Sequence, residues 1–294
     1  MIGKKMNAQD RKIGFIGAGN MAEAMIGALI NTGQAAARDI YISDISSQRV
    51  SALAETYGVT PAAGNTQIVA ECNIVILAVK PQVMNEMLGG LDNAGAFESL
   101  SGRRLFISIA AGIPISGLEG FIYAGRGDDD KNRMPIVRVM PNTPALIGAG
   151  MSGMCANAFA GPSDIETAKN LFSAMGRVIE LEEDKMNAVT AVSGSGPAYG
   201  FYVLEAMIEA GRNLGLDRSE ASVLAQTALS GALALVDHQK ETPEALRARV
   251  TSPGGTTEAA TRVLEEKDVK GAFVDAIAAA AERARQLSKP SDDA

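Results

Sequence analysis

The sequence predicts an α/β protein, with a parallel sheet in its N-terminal part and helices alone in its C-terminal part. Over the first half of the chain, short apolar runs alternate with helical patterns, which is typical of parallel strands joined by right-handed crossover helices. After residue 181 the apolar periodicity is helical to the end. Because 294 residues are long for one domain, we predict two domains, at 12–183 and 184–294.

Strands and helices are expected in alternation over the first domain. The first helix is predicted at 21–29 with Gly33 closing it, and the second at 46–57. A third opens on the capping box Ser163-Asp-Ile-Glu166 and runs to about residue 175. The predicted strands are 12–17, 39–43, 73–79, 105–109, 136–140 and 178–181.

The second domain is predicted to be all helical. Asp217 with Glu220, and Thr242 before Pro243, are helix-start signals. These helices are rich in Ala and Gly, and 276–281 is almost all alanine, so we expect close helix contacts and an oligomer interface. The predicted helices are 197–214, 219–239, 243–250, 257–266 and 269–287.

Composition excludes several classes of protein. The chain has 27 Lys and Arg against 34 Asp and Glu, a net charge of −7, which disfavours nucleic-acid binding. No stretch approaches 18 apolar residues without a charge, so no membrane span is expected. Residues 1–11 lack the apolar core of an export signal and are interpreted as a frayed start. With Cys72 and Cys155 in apolar surroundings, this predicts a reduced, cytoplasmic protein. The charged run 125–133 is interpreted as a solvated loop.

The strongest local motif is Gly17-Ala-Gly19-Asn-Met-Ala22, directly after the first strand and directly before the first helix. This context is that of a dinucleotide-binding, Rossmann-type turn, although a bare strand–helix turn is the alternative. Gly17 allows the tight turn, and Gly19 lets a pyrophosphate approach the N–H groups of the helix N-terminus. The predicted cofactor contacts of this motif are Gly17, Gly19, Asn20 and Met21.

The choice between cofactors is predicted to depend on the end of the second strand, Ser43-Asp44. A carboxylate there accepts hydrogen bonds from a free ribose and repels a 2′-phosphate, whereas a serine can bond either. Arg49 and Lys80 are candidates for a cation at this position, although neither is adjacent to Ser43-Asp44 in the sequence. The sequence leaves the preference between NADH and NADPH open.

Small-residue loops follow other strands and precede two helices. Ala78-Val-Lys-Pro81, 110–112 and 140–144 follow strands, so their polar side chains are expected near the crevice where ligands bind. The loops 193–199 and 251–257 precede helices and offer N–H groups and hydroxyls suited to a carboxylate, or they are simple caps.

The residue types that the sequence lacks limit the reactions that the protein could catalyse. The single histidine, His238, lies near the end of a predicted helix and is interpreted as a surface residue, and there is no clustered Cys/His metal set. Reduction of a ketone commonly needs a His, Lys or Tyr proton donor. A protonated C=N bond is electrophilic by its own charge, so hydroxyl-rich loops fit an imine better than a ketone.

In these motifs the sequence resembles the pyrroline-5-carboxylate reductase family, over roughly residues 12 to 287. The resemblance implies an N-terminal Rossmann-type parallel sheet followed by an all-α C-terminal dimerisation domain. It implies NADPH- or NADH-dependent hydride transfer to the C=N bond of 1-pyrroline-5-carboxylate, giving L-proline, in homodimers that can assemble as a pentamer of dimers. The matching segments are 14–20, 78–81, 110–112, 140–144, 193–199 and 252–257.

Site residues are carried over from this resemblance motif by motif. Thr257 would bond the ring nitrogen, in an orienting role because an alcohol is a poor acid. The substrate carboxylate would be received by Gly194, Ser195 and Gly196, and the site lined by Ser252, Pro253, Gly254, Gly255 and Thr256. The cofactor would be contacted by Ser43, Asn65, Ala78, Val79, Lys80 and Pro81, with Asn142 and Thr143 near the nicotinamide. The sequence departs from the family pattern at two places, which are the acidic insertion near Asp128–Asp130 and the carboxylate of Asp44.

Two other functions compete with this one. A β-hydroxyacid-type dehydrogenase would need a lysine acid/base, for which Lys169 and Lys185 are the candidates, neither in a matching motif. A non-catalytic redox sensor would bind the dinucleotide but would not need two ligand loops in the helical domain.

Overall fold

The computed structural model describes residues 12–98, 100 and 102–288. The predicted frayed start at 1–11 lies outside the described residues. The chain divides into two compact units, one within Met1–Gly194 and Ala281–Ala294 and the other at Ser195–Ala280. The domain boundary between residues 183 and 184 stays a prediction.

The first unit is built on one eight-stranded sheet. Its strands are β1 Ile13–Ile16, β2 Ile40–Ser43, β3 Thr60–Pro61, β4 Ile74–Leu77, β5 Leu105–Ser108, β6 Ile136–Met140, β7 Gly150–Ala156 and β8 Gly176–Glu180. The spatial order is β3-β2-β1-β4-β5-β6-β7-β8. The strands from β3 to β6 are all parallel. The order reverses at β1 and β4, where ligands bind in such sheets, and the predicted α/β fold class is confirmed.

The far edge of the sheet differs from an all-parallel arrangement. β7 pairs antiparallel with β6, and β8 pairs parallel with β7. The connection from β6 to β7 is a 3₁₀ turn at Thr143–Ile147 with a few flanking residues. A parallel pair needs a crossover of a dozen residues or more, so this short connection forces an antiparallel partner. β7 was not predicted from the sequence.

Helices cover the sheet of the first unit. Ser46 accepts the Arg49 N–H and caps the second helix, while Gly33 has a φ of +70° just beyond the first. Both helices are confirmed at nearly the predicted positions. The helices are α1 Asn20–Asn31, α2 Ser47–Tyr57, α3 Asn65–Glu71, α4 Pro81–Asn93, α5 Ile115–Ile122, α6 Asp128–Lys131, α7 Pro162–Ser173 and α8 Met186–Val189, with a π-helical turn at Thr190–Gly194.

Two local predictions in this unit were wrong in detail. The helix α7 does not begin on a Ser163 cap, because Pro162 already occupies its first turn and the Asp164 carboxylate accepts the Gly161 N–H at 2.8 Å. The acidic run is solvent-exposed, as predicted, but Asp128–Lys131 forms one helical turn rather than a loop. Three carboxylates in the first turn of a helix interact favourably with its dipole.

Strand alternation divides the core between the two faces of the sheet. Phe15 and Ile76 face one side, where they pack with side chains of α1 and α7 such as Phe172. Val75 and Phe106 face the other side. Because the central strands are covered on both faces, the loops at their ends have fixed positions.

The second unit is helical, as predicted. Asp217 and Glu220 form a reciprocal capping box, and Thr242 caps the helix that Pro243 begins. The helices are α9 Gly196–Asn213, α10 Arg218–Gln239, α11 Pro243–Arg249, α12 Thr256–Glu266 and α13 Val269–Leu287, the last of which continues into the first unit from Ala281.

The second unit leaves most of its apolar side chains uncovered. Within Ser195–Ala280, all of which is described, only Ala221 and Ala225 are buried. Phe201 and Tyr202 on α9 and Leu233 on α10 are 62%, 71% and 71% exposed. An apolar surface of this extent indicates contact with another surface.

One described helix, α10, is long and apolar enough by length and composition to cross a membrane. The same test is passed by helices that pack against protein. The prediction that the chain has no membrane-spanning helix stays a prediction.

Both cysteines are buried and free, which generates a prediction about pH. Burial raises the pKa of each thiol from 9.0 to about 12. A thiol whose pKa is higher in the folded state than in the unfolded state makes a contribution to the free energy of unfolding that is complete below pH 9. This contribution is lost as the pH rises from 9 towards 12. We therefore expect the midpoint of urea unfolding to fall across that window.

The reactivity of the two thiols tests directly whether they are buried. We expect Cys72 and Cys155 to resist a disulfide reagent such as DTNB in the native protein at pH 8 and to react with two equivalents after unfolding in guanidinium. A thiol that reacts within seconds in the native state would contradict the buried positions.

Candidate active site

The turn after β1 is pressed against the backbone that follows β4. Gly17 has a φ of +98°, and a Cβ atom there would lie 2.7 Å from the carbonyl oxygen of Ala78. The Gly17 N–H donates to the Ser43 carbonyl at 2.8 Å, and the Ala78 N–H donates to Ile16 at 2.8 Å. Only glycine fits this position, so the predicted role of Gly17 in the turn has a steric basis.

The N-terminus of α1 is open. Gly19 is its N-cap residue. Within the part of the chain that the structure describes, no side chain caps it, and no atom lies within 4 Å of where a Cβ atom on Gly19 would be. Gly19 and Asn20 are exposed, and Met21 is half-buried. Free N–H groups with open space in front of them fit a pyrophosphate. Gly19 is therefore not required by packing within the described chain, which favours a role in ligand approach.

Asp44 and Arg49 bind the glycine turn from the side of β2. The Asp44 carboxylate accepts the Ala18 N–H at 2.7 Å and the Ser46 N–H at 2.8 Å. The Arg49 Nε donates to the Ala18 carbonyl at 2.7 Å, and its Nη2 forms a short ion pair with Glu23 on α1. The sequence placed both residues near the cofactor but gave no sign that they hold the turn.

The remaining predicted cofactor residues of this edge follow β2 and β4. Ser43 is buried at the end of β2, and its hydroxyl donates to the Asn65 side-chain oxygen at 2.8 Å. Ala78 and Val79 are half-buried, and Lys80 is the exposed N-cap residue of α4, with Pro81 in the first turn. The structure thus brings the predicted cofactor residues of β1, β2 and β4 to the carboxyl edge of the sheet.

Asn142 is a structural link as well as a candidate contact. Its side-chain nitrogen donates to the Ser193 carbonyl at 3.1 Å and to the Ser193 hydroxyl at 3.3 Å, while its oxygen accepts the Met151 N–H at 2.8 Å. Both the nitrogen and the oxygen of the Asn142 carboxamide therefore have hydrogen-bond partners within the protein. Its neighbour Thr143 is exposed.

The segment before α9 is not the open loop that the sequence analysis predicted. Thr190–Gly194 is a π-helical turn, and Ser195 has helical backbone angles of −85° and −16°. π-Turns occur frequently at functional sites because they redirect backbone groups. Among the predicted carboxylate-binding residues, Gly194 belongs to the first unit, and Ser195 and Gly196 belong to the second.

The second glycine-rich loop lies entirely in the second unit. Gly254 has a φ of +73°, and its N–H donates to the Glu258 carboxylate at 2.7 Å. Gly255 is the N-cap residue of α12, and none of the described side chains caps it. Thr257 is half-buried in the first turn, and its hydroxyl makes no hydrogen bond to the described residues. Ser252, Pro253 and Thr256 are exposed.

An ion pair near the predicted loop 110–112, between a buried arginine and a half-buried glutamate, was not predicted. Arg138 on β6 is buried and donates to Glu183 at 3.1 Å, and Glu183 also accepts the Ile115 N–H at the start of α5 at 2.7 Å. The signal was present, since an arginine within the apolar run 136–140 needs a partner when that run is buried. This pair fixes the segment that follows Gly112.

The two candidate acid/base lysines of the rival dehydrogenase are at the surface. Lys169 on α7 and Lys185 before α8 are both exposed, and His238 is exposed in the last turn of α10. Among the described residues, no three His, Cys, Asp or Glu side chains form a group that could hold a metal ion.

Comparison with known proteins agrees with this architecture. A family model described as pyrroline-5-carboxylate reductase dimerisation matches residues 183–287, and one described as coenzyme F420-dependent NADP oxidoreductase matches residues 12–112. A pyrroline-5-carboxylate reductase of Corynebacterium melassecola is 40% identical over 94% of this chain and 98% of its own.

Solved structures of pyrroline-5-carboxylate reductases are also similar to this chain over nearly its whole length. A pyrroline-5-carboxylate reductase from Coxiella burnetii has a TM-score of 0.84 and 34% identity, covering 95% of this chain and 99% of that one. A Plasmodium falciparum pyrroline carboxylate reductase with NADP bound has a TM-score of 0.83 and 27% identity, covering 96% and 99%.

The fold and the open helix N-terminus define an NAD(P)H-dependent oxidoreductase with a helical dimerisation domain. Since a relative 40% identical is covered almost entirely, the chain belongs to the pyrroline-5-carboxylate reductase family.

The two glycines of the turn have separable roles, which generates a prediction. Gly17→Ala should lower the free energy of unfolding by about 2–4 kcal/mol, through a backbone clash and an unfavourable φ. Gly19→Val should change it by less than about 1 kcal/mol yet weaken dinucleotide binding at least about tenfold by steric obstruction. Urea unfolding and isothermal titration measure the two effects. Normal dinucleotide affinity in Gly19→Val would contradict the phosphate-binding role.

The Asn142 link gives a second prediction. Asn142→Ala removes three hydrogen bonds and leaves the Met151 N–H without its partner, so we expect a loss of about 2 kcal/mol in the free energy of unfolding. Thr143→Ala, one residue further, is an exposed control and should change it by less than about 0.5 kcal/mol. Equal stability of the two variants in urea unfolding would show that the link is not formed.

Proposed function

We propose that this protein reduces the C=N bond of 1-pyrroline-5-carboxylate to L-proline, the last step of proline biosynthesis, with NADPH or NADH as the reductant. The observation that carries the proposal is the open, uncapped N-terminus of α1 at the reversal point of the sheet. It occurs in a chain that matches a pyrroline-5-carboxylate reductase along 94% of its length.

The first unit is proposed to hold the cofactor at the carboxyl edge of its sheet. Gly17, Gly19, Asn20 and Met21 take the pyrophosphate at the N-terminus of α1. The ends of β2 and β4 flank it, and Asn142 and Thr143 lie near the nicotinamide. When bound, the reduced cofactor supplies the hydride for the imine carbon. The flanking contacts are Ser43, Asn65, Ala78, Val79, Lys80 and Pro81.

The substrate is proposed to be held by the two small-residue segments. Gly194, Ser195 and Gly196, where the π-turn passes into α9, receive the carboxylate. Because the Gly254 N–H is already bonded to Glu258, Gly254 serves to keep the turn narrow rather than to donate. The loop lining is Ser252, Pro253, Gly254, Gly255 and Thr256.

Thr257 is proposed to be the catalytic residue that orients the substrate nitrogen. Its hydroxyl makes no bond to the described residues, which leaves it available for a ligand. The imine nitrogen already carries a proton when the substrate is activated, so the carbon receives only the hydride and no side chain has to deliver a proton to the nitrogen during the transfer. A hydroxyl that bonds the ring nitrogen fixes the face of the ring that receives the hydride.

The proposal also covers the oligomeric state of the enzyme and its location in the cell. The uncovered apolar residues of α9 and α10 suit a homodimer through the 184–294 domain, and we propose that dimers assemble further into a pentamer of dimers. We propose that α10 packs against protein rather than lipid, and that the enzyme is cytoplasmic, with a small-molecule substrate and no metal or nucleic-acid partner. No observation favours a hydroxyacid dehydrogenase, because Lys169 and Lys185 are exposed.

The decisive experiment follows the oxidation of NADH and NADPH, in separate reactions, with pyrroline-5-carboxylate as acceptor. We expect absorbance loss at 340 nm that requires the acceptor and yields proline. A β-hydroxy acid with the oxidised cofactor is the control for the rival reaction and should give no turnover. Binding of a dinucleotide without any turnover of the imine would favour a sensor and overturn the proposal.

Thr257→Ala tests the catalytic assignment. We expect kcat/KM for the imine to fall by about 10- to 100-fold, with dinucleotide affinity nearly unchanged. Thr261→Ala is the matched control, since the Thr261 hydroxyl donates only to carbonyl groups of its own helix, at Thr257 and Glu258. Steady-state kinetics of Thr257→Ala equal to those of the control would remove Thr257 from the site.

A further inference from the structure

The end of β2 presents a carboxylate that is fixed beside the phosphate-binding turn. Asp44 is half-buried, and its two oxygens each accept one backbone N–H, from Ala18 and from Ser46, at 2.7 and 2.8 Å. Ala18 lies within the glycine turn itself. Each carboxylate oxygen has a second lone pair, so the group can still accept a hydrogen bond from a ligand without leaving its position.

No free cation accompanies this carboxylate on the same segment. The four residues 45–48 are Ile, Ser, Ser and Gln. Arg49, the next cation along the chain, is already bonded to the Ala18 carbonyl and to the Glu23 carboxylate. Its charge is therefore balanced within the protein, and its guanidinium is directed at the turn.

Two of the three serines of this segment, Ser43 and Ser46, are also engaged, and the third, Ser47, is exposed at the start of α2. The Ser43 hydroxyl donates to Asn65 at 2.8 Å, and the Ser46 hydroxyl accepts the Arg49 N–H at 3.3 Å. Ile45, between them, is fully exposed and offers an apolar face of the kind that an adenine ring covers. The segment thus suits a neutral adenosine with a free ribose diol better than one with an anionic group on the ribose.

From these contacts we infer that Asp44 is a specificity-determining residue that makes this enzyme prefer NADH to NADPH. The inference rests on the proposed function, since it concerns the dinucleotide used in that reaction. A free ribose hydroxyl donates to the carboxylate, whereas a 2′-phosphate brings two like charges together in a half-buried position, where repulsion is weakly screened.

Binding, measured apart from turnover, tests the inference. Isothermal titration of the full-length protein with NADH and with NADPH should give a dissociation constant at least about tenfold lower for NADH. Asp44→Asn keeps the size of the side chain and removes its charge, so the preference should shrink to less than about threefold, mainly through tighter NADPH binding. Asp39→Asn is the matched control, because it removes one charge before the opposite end of β2 and should leave the preference unchanged.

The outcomes separate this inference from the proposed function. Equal or tighter binding of NADPH by the unaltered protein would overturn the inference, even if the imine is reduced. An unchanged preference in Asp44→Asn, with an unfolding midpoint equal to that of the unaltered protein, would overturn the role of Asp44. Failure to bind either dinucleotide would overturn the proposed function and the inference together.

Discussion

The close approach between the glycine turn after β1 and the backbone after β4 is the constraint on which the candidate active site depends. The turn cannot move away, because Gly17 is bonded to the end of β2 and Ala78 is bonded to the end of β1. The central strands beneath it are buried on both faces. As a result, the N-terminus of α1 points to one place at the edge of the sheet, and a ligand there does not have to organise it.

The charged side chains around this turn are parts of the scaffold rather than free ligands for an anion. Asp44 holds the Ala18 N–H, while Arg49 holds the Ala18 carbonyl and pairs with Glu23. The two side chains bind the N–H and the C=O of the same residue, Ala18. Side chains held in this way keep their positions when a nucleotide binds.

Much of the fold could be predicted from the sequence, because its signals are local. Buried strands appear as apolar runs, and the helices of the second unit carry caps such as Asp217 with Glu220 close to their starts. β7 was missed because Gly150-Met-Ser-Gly-Met-Cys-Ala156 contains two glycines and shows no clear alternation of polarity. The short helices α3 and α5 have too few turns for a periodic pattern to stand out.

The contacts of the site were harder to predict, because they join distant parts of the chain. Asn142 and Ser193 are 51 residues apart, and no local pattern marks the bond between them. The partner of Arg138 is 45 residues away, although a charge inside an apolar strand signals that a partner exists. The glycine motif was recognisable because all of its parts lie within a few residues of one another.

The π-helical turn at Thr190–Gly194 has a consequence for how the chain tolerates insertions and deletions. A π-turn accommodates one residue more than the same stretch of α-helix, and each residue of an α-helix rotates the chain by about 100°. Deleting a single residue there would convert the turn to regular helix and change the rotation between its first and last residues by that angle. The length of this short segment, more than its composition, therefore sets its helical register.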